Sequence, residues 1–367
     1  MIGSWWTYLV VMVGCSLFSA GATRSAHSWT RNRTKSHTSA QFLSANPKMV
    51  SSISILLSFL LAVPLFSFIN SLKVGTVFSL SHLQGKHLNL VLVVASSLLL
   101  IGIIHDLFLM LSTWYLGALI SSGVVIWSIG DRIELQDQMP AAATLIFTIL
   151  WFVIVPVAFK QLESSGQLAT GISILIGLGL FVLATMNLQP RLAVCAIGLV
   201  GSNLGIILQH RHSARPHLGA GGALLDGFVI AYITLMLYPQ QVSTSNSFMA
   251  VSALIPLLLC LFPLINIFTI SFSTMLRVFG SNHIPPPSIY SLLSAVTLRE
   301  NISTALIFLG VSTTSLIAII LGRIDSTVGL PIGLLTVVSY IMVVIFLLRH
   351  SLQHQVTGRP QIRIDTP

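Results

Sequence analysis

Few side chains in this sequence could do chemistry, and most of them sit beside or inside apolar runs. Asp226 lies well within the run 221–238. An ionisable group at that depth is costly and marks a functional position unless it is neutralised or met by a Ser or Asn partner between helices. His210, His212 and His217 interleave with Arg211 and Arg215 on one short segment. Imidazoles so close can bind a soft metal. The reading adopted is simpler: a topology signal that touches anionic lipid head groups. His105 and Asp106 form a polar pair between two apolar runs. Cys15, Cys195 and Cys260 all fall inside such runs, so they are expected to be buried thiols rather than disulfide partners.

The elements that must carry these residues follow from composition. Of 367 residues, 54% are apolar and 7% are charged, against about 25% charged in a typical soluble domain. A soluble fold of this length would have an apolar surface; lipid as solvent removes the conflict. A spanning helix needs about 20 apolar residues. Eleven candidates run roughly 3–22, 50–71, 88–104, 107–129, 139–159, 168–186, 191–209, 221–238, 248–274, 303–322 and 330–348. The expected fold is all-α: one transmembrane bundle over residues 1–349 and a polar tail over 350–367. The ninth run carries Pro256 and Pro263 and should kink.

Lys and Arg set the orientation. With the N-terminus outside, thirteen of the 18 basic residues fall on inside segments, so the expected topology is N-out, C-in. The net charge of +9 is therefore a topology signal, and no nucleic-acid partner is expected. No Lys or Arg precedes the first run and a basic cluster follows it, the reverse of a cleaved signal, so an uncleaved first span is expected. Trp5, Trp6 and Tyr8 read as interface anchors. Segment 23–49 is rich in Ser, Thr and Asn without an acid, and reads, like 350–367, as a loosely held cytoplasmic stretch. The glycosylation patterns at Asn32 and Asn301 fall on the inside and are expected to go unused.

Four stretches carry a family resemblance. Residues 102–108 read GIIHDLF, 151–171 read WFVIVPVAFKQLESSGQLATG, 215–228 read RPHLGAGGALLDGF, and 262–283 read FPLINIFTISFSTMLRVFGSNH. They resemble the polyprenyl-phosphate N-acetylhexosamine-1-phosphate transferases, glycosyltransferase family 4, over roughly residues 30–320. The matching patterns are G-x-x-D-D-x-F, N-A-x-N-x-x-D-G-x-D-G-L-A-x-G, R-x-F-x-G-D-x-G-S-x-x-x-G-F, and P-x-x-D followed by a basic stretch and a histidine loop. The resemblance implies a bacterial inner-membrane enzyme that moves a sugar-1-phosphate from a UDP-sugar to a lipid phosphate with Mg²⁺.

Residue by residue, that chemistry is stripped. The acidic pair becomes His105 and Asp106. The two asparagines become Val157 and Lys160, the following acids Glu163 and Gly166. The aspartate and serine of G-D-x-G-S become Ala220 and Ala223, and the aspartate of P-x-x-D becomes Asn266. A lysine expected after the acidic pair falls on Tyr115. Lys35 and His37 match a K-x-H, but Ala45 and Asn46 replace its glycines, and the histidine loop keeps only His283. Alanine offers a hard cation no oxygen. His105, Asp106, Glu163 and Ala220 are therefore expected to be vestigial, and no cofactor is expected. Lys160, Arg215, His217, Asn266 and His283 take the substrate-binding positions. The expected role is that of a catalytically dead homologue that binds polyprenyl phosphate or partners a protein in envelope polysaccharide synthesis, with a homodimer among the expected states. One alternative is an active transferase using Mg²⁺ on Asp106 and Glu163. A second is a transporter, disfavoured because no internal repeat is evident. Asp106, Lys160, Glu163, Ala220 and His217 are expected to converge on one inside-facing pocket.

Overall fold

The computed structural model describes residues 5–33, 47–74, 88–108, 113–130, 140–165, 168–209, 218–237, 246–279, 288–297, 300–324 and 326–356. Among them are thirteen helices and no strand. They are α1 (Trp5–Arg33), α2 (Pro47–Val74), α3 (Leu88–Phe108), α4 (Thr113–Ser128), α5 (Ala141–Glu163), α6 (Leu168–Met186) and α7 (Pro190–Gln209). There follow α8 (Gly219–Leu237), α9 (Asn246–Leu259), α10 (Leu261–Phe279), α11 (Ile289–Thr297), α12 (Glu300–Leu321) and α13 (Ser326–Val356). Among the described residues nine helices are long and apolar enough to cross a membrane, and α9 and α10 together form an apolar pair bent by 69°, a broken span or a re-entrant loop. The chain is an all-α, multi-pass membrane protein.

The expected kink is a break at Cys260. Pro263 has no N–H to give the carbonyl four residues earlier, so the helical ladder is interrupted there. The fourth expected span, 107–129, holds the 16-residue α4. At 1.5 Å per residue it is about 24 Å long, short of the ~30 Å hydrocarbon core. Even so, α4 runs antiparallel to α5 along most of its length. Tyr115 near its start lies under Lys160 at the end of α5, and Trp127 near its end donates to Thr144 Oγ1 at the start of α5, at 3.1 Å.

α8 is the axis of the bundle. All but one residue of Gly219–Leu237 is buried, the mark of a helix enclosed on every side. α2, α3, α5, α6 and α7 surround it; α1 packs on α7 and α2, and α12 on α6. Lipid supplies no hydrophobic drive between helices, so close packing at small residues does the work. A Cβ on Gly102 of α3 would collide with the backbone of Gly221 of α8, and one on Gly221 would sit 2.8 Å from the Leu99 carbonyl oxygen. The two backbones touch there, four residues from Asp106. Gly227 repeats the device against Pro156 of α5, where a Cβ would lie 2.5 Å from the proline Cα. On the outside of the bundle, α13 turns Leu335 and Phe346 outward, as a lipid-facing helix should.

Three expectations are corrected. Segment 23–49 is not loop throughout: α1 continues to Arg33 and α2 begins at Pro47. No proline or glycine interrupts residues 22–33, so the helix propagates past the apolar run despite the polar composition. Likewise α13 runs on to Val356, into the expected tail. Tyr8 is not an interface anchor. It is buried against Phe66 and Phe181, with centroids 5.2 and 5.3 Å away, whereas Trp5 and Trp6 stack on each other and stay exposed. The three cysteines are free and buried, as expected.

Candidate functional site

The ends of four helices meet on one side of the bundle: the C-terminal turns of α3 and α5 and the N-terminal turns of α4 and α8. This pairing of ends is what alternating spans require. It brings together residues more than a hundred positions apart. The Asp106 carboxylate accepts the Ala220 backbone N–H through Oδ2 at 2.8 Å. Its other oxygen stands 3.8 Å from His105 Nδ1, an electrostatic contact longer than a hydrogen bond. The Lys160 ammonium donates to His105 Nε2 at 3.4 Å. The same ammonium lies 3.4 Å from the Tyr115 ring centroid, a cation–π contact. The Tyr115 ring meets the His105 ring edge-on at 5.5 Å.

The sequence around α8 explains why Asp106 points where it does. A helix leaves its first N–H groups without intrahelical acceptors and carries positive potential there. Gly219, at φ +74°, turns the chain into α8, and the alanines and glycines that follow supply no capping oxygen of their own. Caps come from other helices. Asp106 of α3 takes the Ala220 N–H. Ser52 of α2 accepts the Gly222 N–H at 3.1 Å and donates to the Leu218 carbonyl at 2.8 Å.

Glu163 lies one turn beyond Lys160 in α5 and is buried. It and Asp106 are the two carboxylates whose charges act on the ammonium. The expected convergence of Asp106, Lys160, Glu163 and Ala220 at one end of the bundle is what the structure contains. Arg215, His217 and His283 lie outside the described residues, as do Lys35 and His37. Asn266 is buried, and its Oδ1 accepts the Ile289 N–H at 3.1 Å, capping α11. That bond is structural and ties α10 to the start of α11.

Tyr115 and the groove beside it were not foreseen as a unit. Ile101, Trp114, Gly117, Ala118 and Ser121 line a cavity of about 420 Å³ between α3 and α4. Ile101 is one turn from His105, Trp114 is next to Tyr115, and the cavity opens outward where Trp114 is 67% exposed. A small-residue stripe in α4, Gly117, Ala118 and Ser121, is the only hint the sequence carries.

The residues present do not fit a resident Mg²⁺. Asp106 spends one oxygen on α8, Ala220 offers the site a backbone N–H and no oxygen, and the centre of the cluster is an ammonium. Among the described residues no three His, Cys, Asp or Glu side chains are grouped to share an ion. No protein-family model matches this chain, and no curated protein does.

Proposed function

We propose that the protein binds a polyprenyl phosphate in the inner leaflet of a bacterial inner membrane without turning it over, as a non-catalytic relative of the sugar-1-phosphate transferases it resembles. The observation that carries this reading is the bond from the Ala220 N–H to Asp106. Where the resemblance expects a metal held between two carboxylates, one carboxylate is gone and the other serves as a helix cap. The site has exchanged a cation-binding task for a structural one.

A phosphate-binding element remains beside it. The resemblance expects a lysine at position 115. Tyr115 stands there, and the ammonium of Lys160 reaches the same place from α5. A cation at the membrane end of a helix bundle, with an imidazole next to it, suits a phosphomonoester. The groove between α3 and α4 begins one turn away and opens to the surroundings, which suits the attached hydrocarbon chain. Such a protein would hold or present the carrier lipid to a partner in envelope polysaccharide synthesis.

Thermal unfolding of the purified protein tests the binding. Polyprenyl monophosphate should raise the melting temperature, and polyprenol, lacking the charge, should not. Lys160→Gln should weaken the effect by tenfold or more, because a hydrogen bond to a charged group contributes about 1.5–3 kcal/mol. Equal stabilisation by polyprenol, or a full effect in Lys160→Gln, would overturn the proposal.

A further inference from the structure

Deep in the bundle, away from the site just described, three helices bring polar side chains together with their oxygens poorly bonded. Asp226 of α8, Ser173 of α6 and Asn203 of α7 are each fully buried. The Asp226 carboxylate lies within side-chain hydrogen-bonding reach of Ser173 and Asn203. Neither carboxylate oxygen, nor Ser173 Oγ, nor Asn203 Oδ1, makes a hydrogen bond of good geometry, so the contacts among them are loose. Ser202, Thr148 and Thr234 in neighbouring spans each donate to a carbonyl of their own helix. Ser173 does not. The Asn203 amide nitrogen donates to the Leu199 carbonyl at 3.0 Å, which leaves its oxygen for something else.

The three residues are level with one another. Asp226 is about 10 Å from the Gly219 end of α8, Ser173 about 8 Å from the start of α6, and Asn203 about 9 Å from the end of α7, at 1.5 Å per residue. Along α6, α7 and α8, Asp226 is the sole acid, and the sole Lys or Arg is Arg191, at the opposite end of α7. From α5, which packs on α8, Lys160 is turned to His105 and Tyr115. A buried carboxylate without a counter-ion is expensive.

We propose that Asp226, Ser173 and Asn203 form a site for one sodium ion that ties α6, α7 and α8 together. The donors are all oxygen, the set preferred by hard cations. A single carboxylate is neutralised by a single positive charge, while a divalent ion would leave a net charge in the bundle. The proposal does not depend on the lipid-binding reading.

Two measurements on the purified full-length protein test it. One is ²²Na⁺ binding; the other is thermal unfolding in NaCl against choline chloride at equal ionic strength and alkaline pH. Saturable binding near one ion per chain is expected, with a melting temperature that rises with Na⁺ and not with choline. Asp226→Asn should abolish both effects. Ser173→Ala, which removes one neutral ligand and keeps the charge, should weaken binding by roughly tenfold, so the proposal stays testable if Asp226→Asn fails to fold. Absence of a sodium effect in the unmodified protein would overturn the site. So would an undiminished effect in Ser173→Ala, or an Asp226→Asn protein that keeps its sodium response. In those cases Asp226 is a neutral carboxyl bridging the helices.

Discussion

Asp106 is the residue on which the account turns, and its role is separable by substitution. As an acceptor for the Ala220 N–H, it should be replaceable by Asn, whose side-chain oxygen can accept the same bond. Asp106→Ala leaves that N–H without its cap and should lower stability by about 1–2 kcal/mol, the usual cost of losing a cap. The check is chemical or thermal unfolding of both variants in one detergent. A metal ligand would behave differently: Asn and Ala would be about equally damaging to function, and stability would respond to Mg²⁺ instead. Sequence alone could pair Asp106 with Ala220 only through the resemblance, because nothing in either apolar run encodes its partner. The meeting of Lys160 with Tyr115 was not legible at all. It depends on the rotational register of α4 against α5, which two uniformly apolar helices do not reveal.

Between elements, the close approach of α3 and α8 positions that cap. Gly102 and Gly221 have backbone against them, which cannot move aside. Gly221→Leu should therefore fail to yield folded protein, and Gly102→Ala should be markedly destabilised. Gly21→Ala, where an added Cβ meets nothing within 4 Å, should be neutral or slightly stabilising, because Ala suits a helix interior better than Gly. Size-exclusion profiles and melting temperatures of the three variants decide this; equal tolerance would mean that α3 and α8 do not touch. The spans themselves were legible because lipid forces long apolar runs, and the break in the ninth followed from Pro263. The extensions of α1 to Arg33 and of α13 to Val356 were not. Ser, Thr, Asn and His composition reads as loop, but a helix already nucleated by its apolar part continues cheaply into polar sequence.

Across the whole molecule, alternating spans place the ends of α3, α5 and α7 on the same side as the starts of α2, α4, α6 and α8. The contacts of Asp106 with Ala220, Lys160 with Tyr115 and Ser52 with Gly222 agree with that parity. The positive-inside rule, applied to the excess of basic residues, predicts that this side faces the cytoplasm. Cys15, Cys195 and Cys260 are buried, so single cysteines at Ser36 or Gln355 can be labelled against a quiet background. They should resist an impermeant reagent in intact cells and react after the membrane is opened; labelling from outside would invert the topology and move the proposed lipid site to the other leaflet.

The central claim is binding without turnover, and UMP release tests it most directly. Purified protein supplied with polyprenyl phosphate, UDP-N-acetylhexosamine and Mg²⁺ should release no UMP above a protein-free control. Losing one electrostatic donor to a developing charge costs roughly 10²–10³ in rate, and the proposed resemblance implies that a metal ligand is missing as well. Ala220→Asp alone should not restore turnover, because His105 still occupies the place of the second carboxylate. Mg²⁺-dependent UMP release by the unmodified protein, lost in Asp106→Asn, would contradict the account and establish an active transferase in its place.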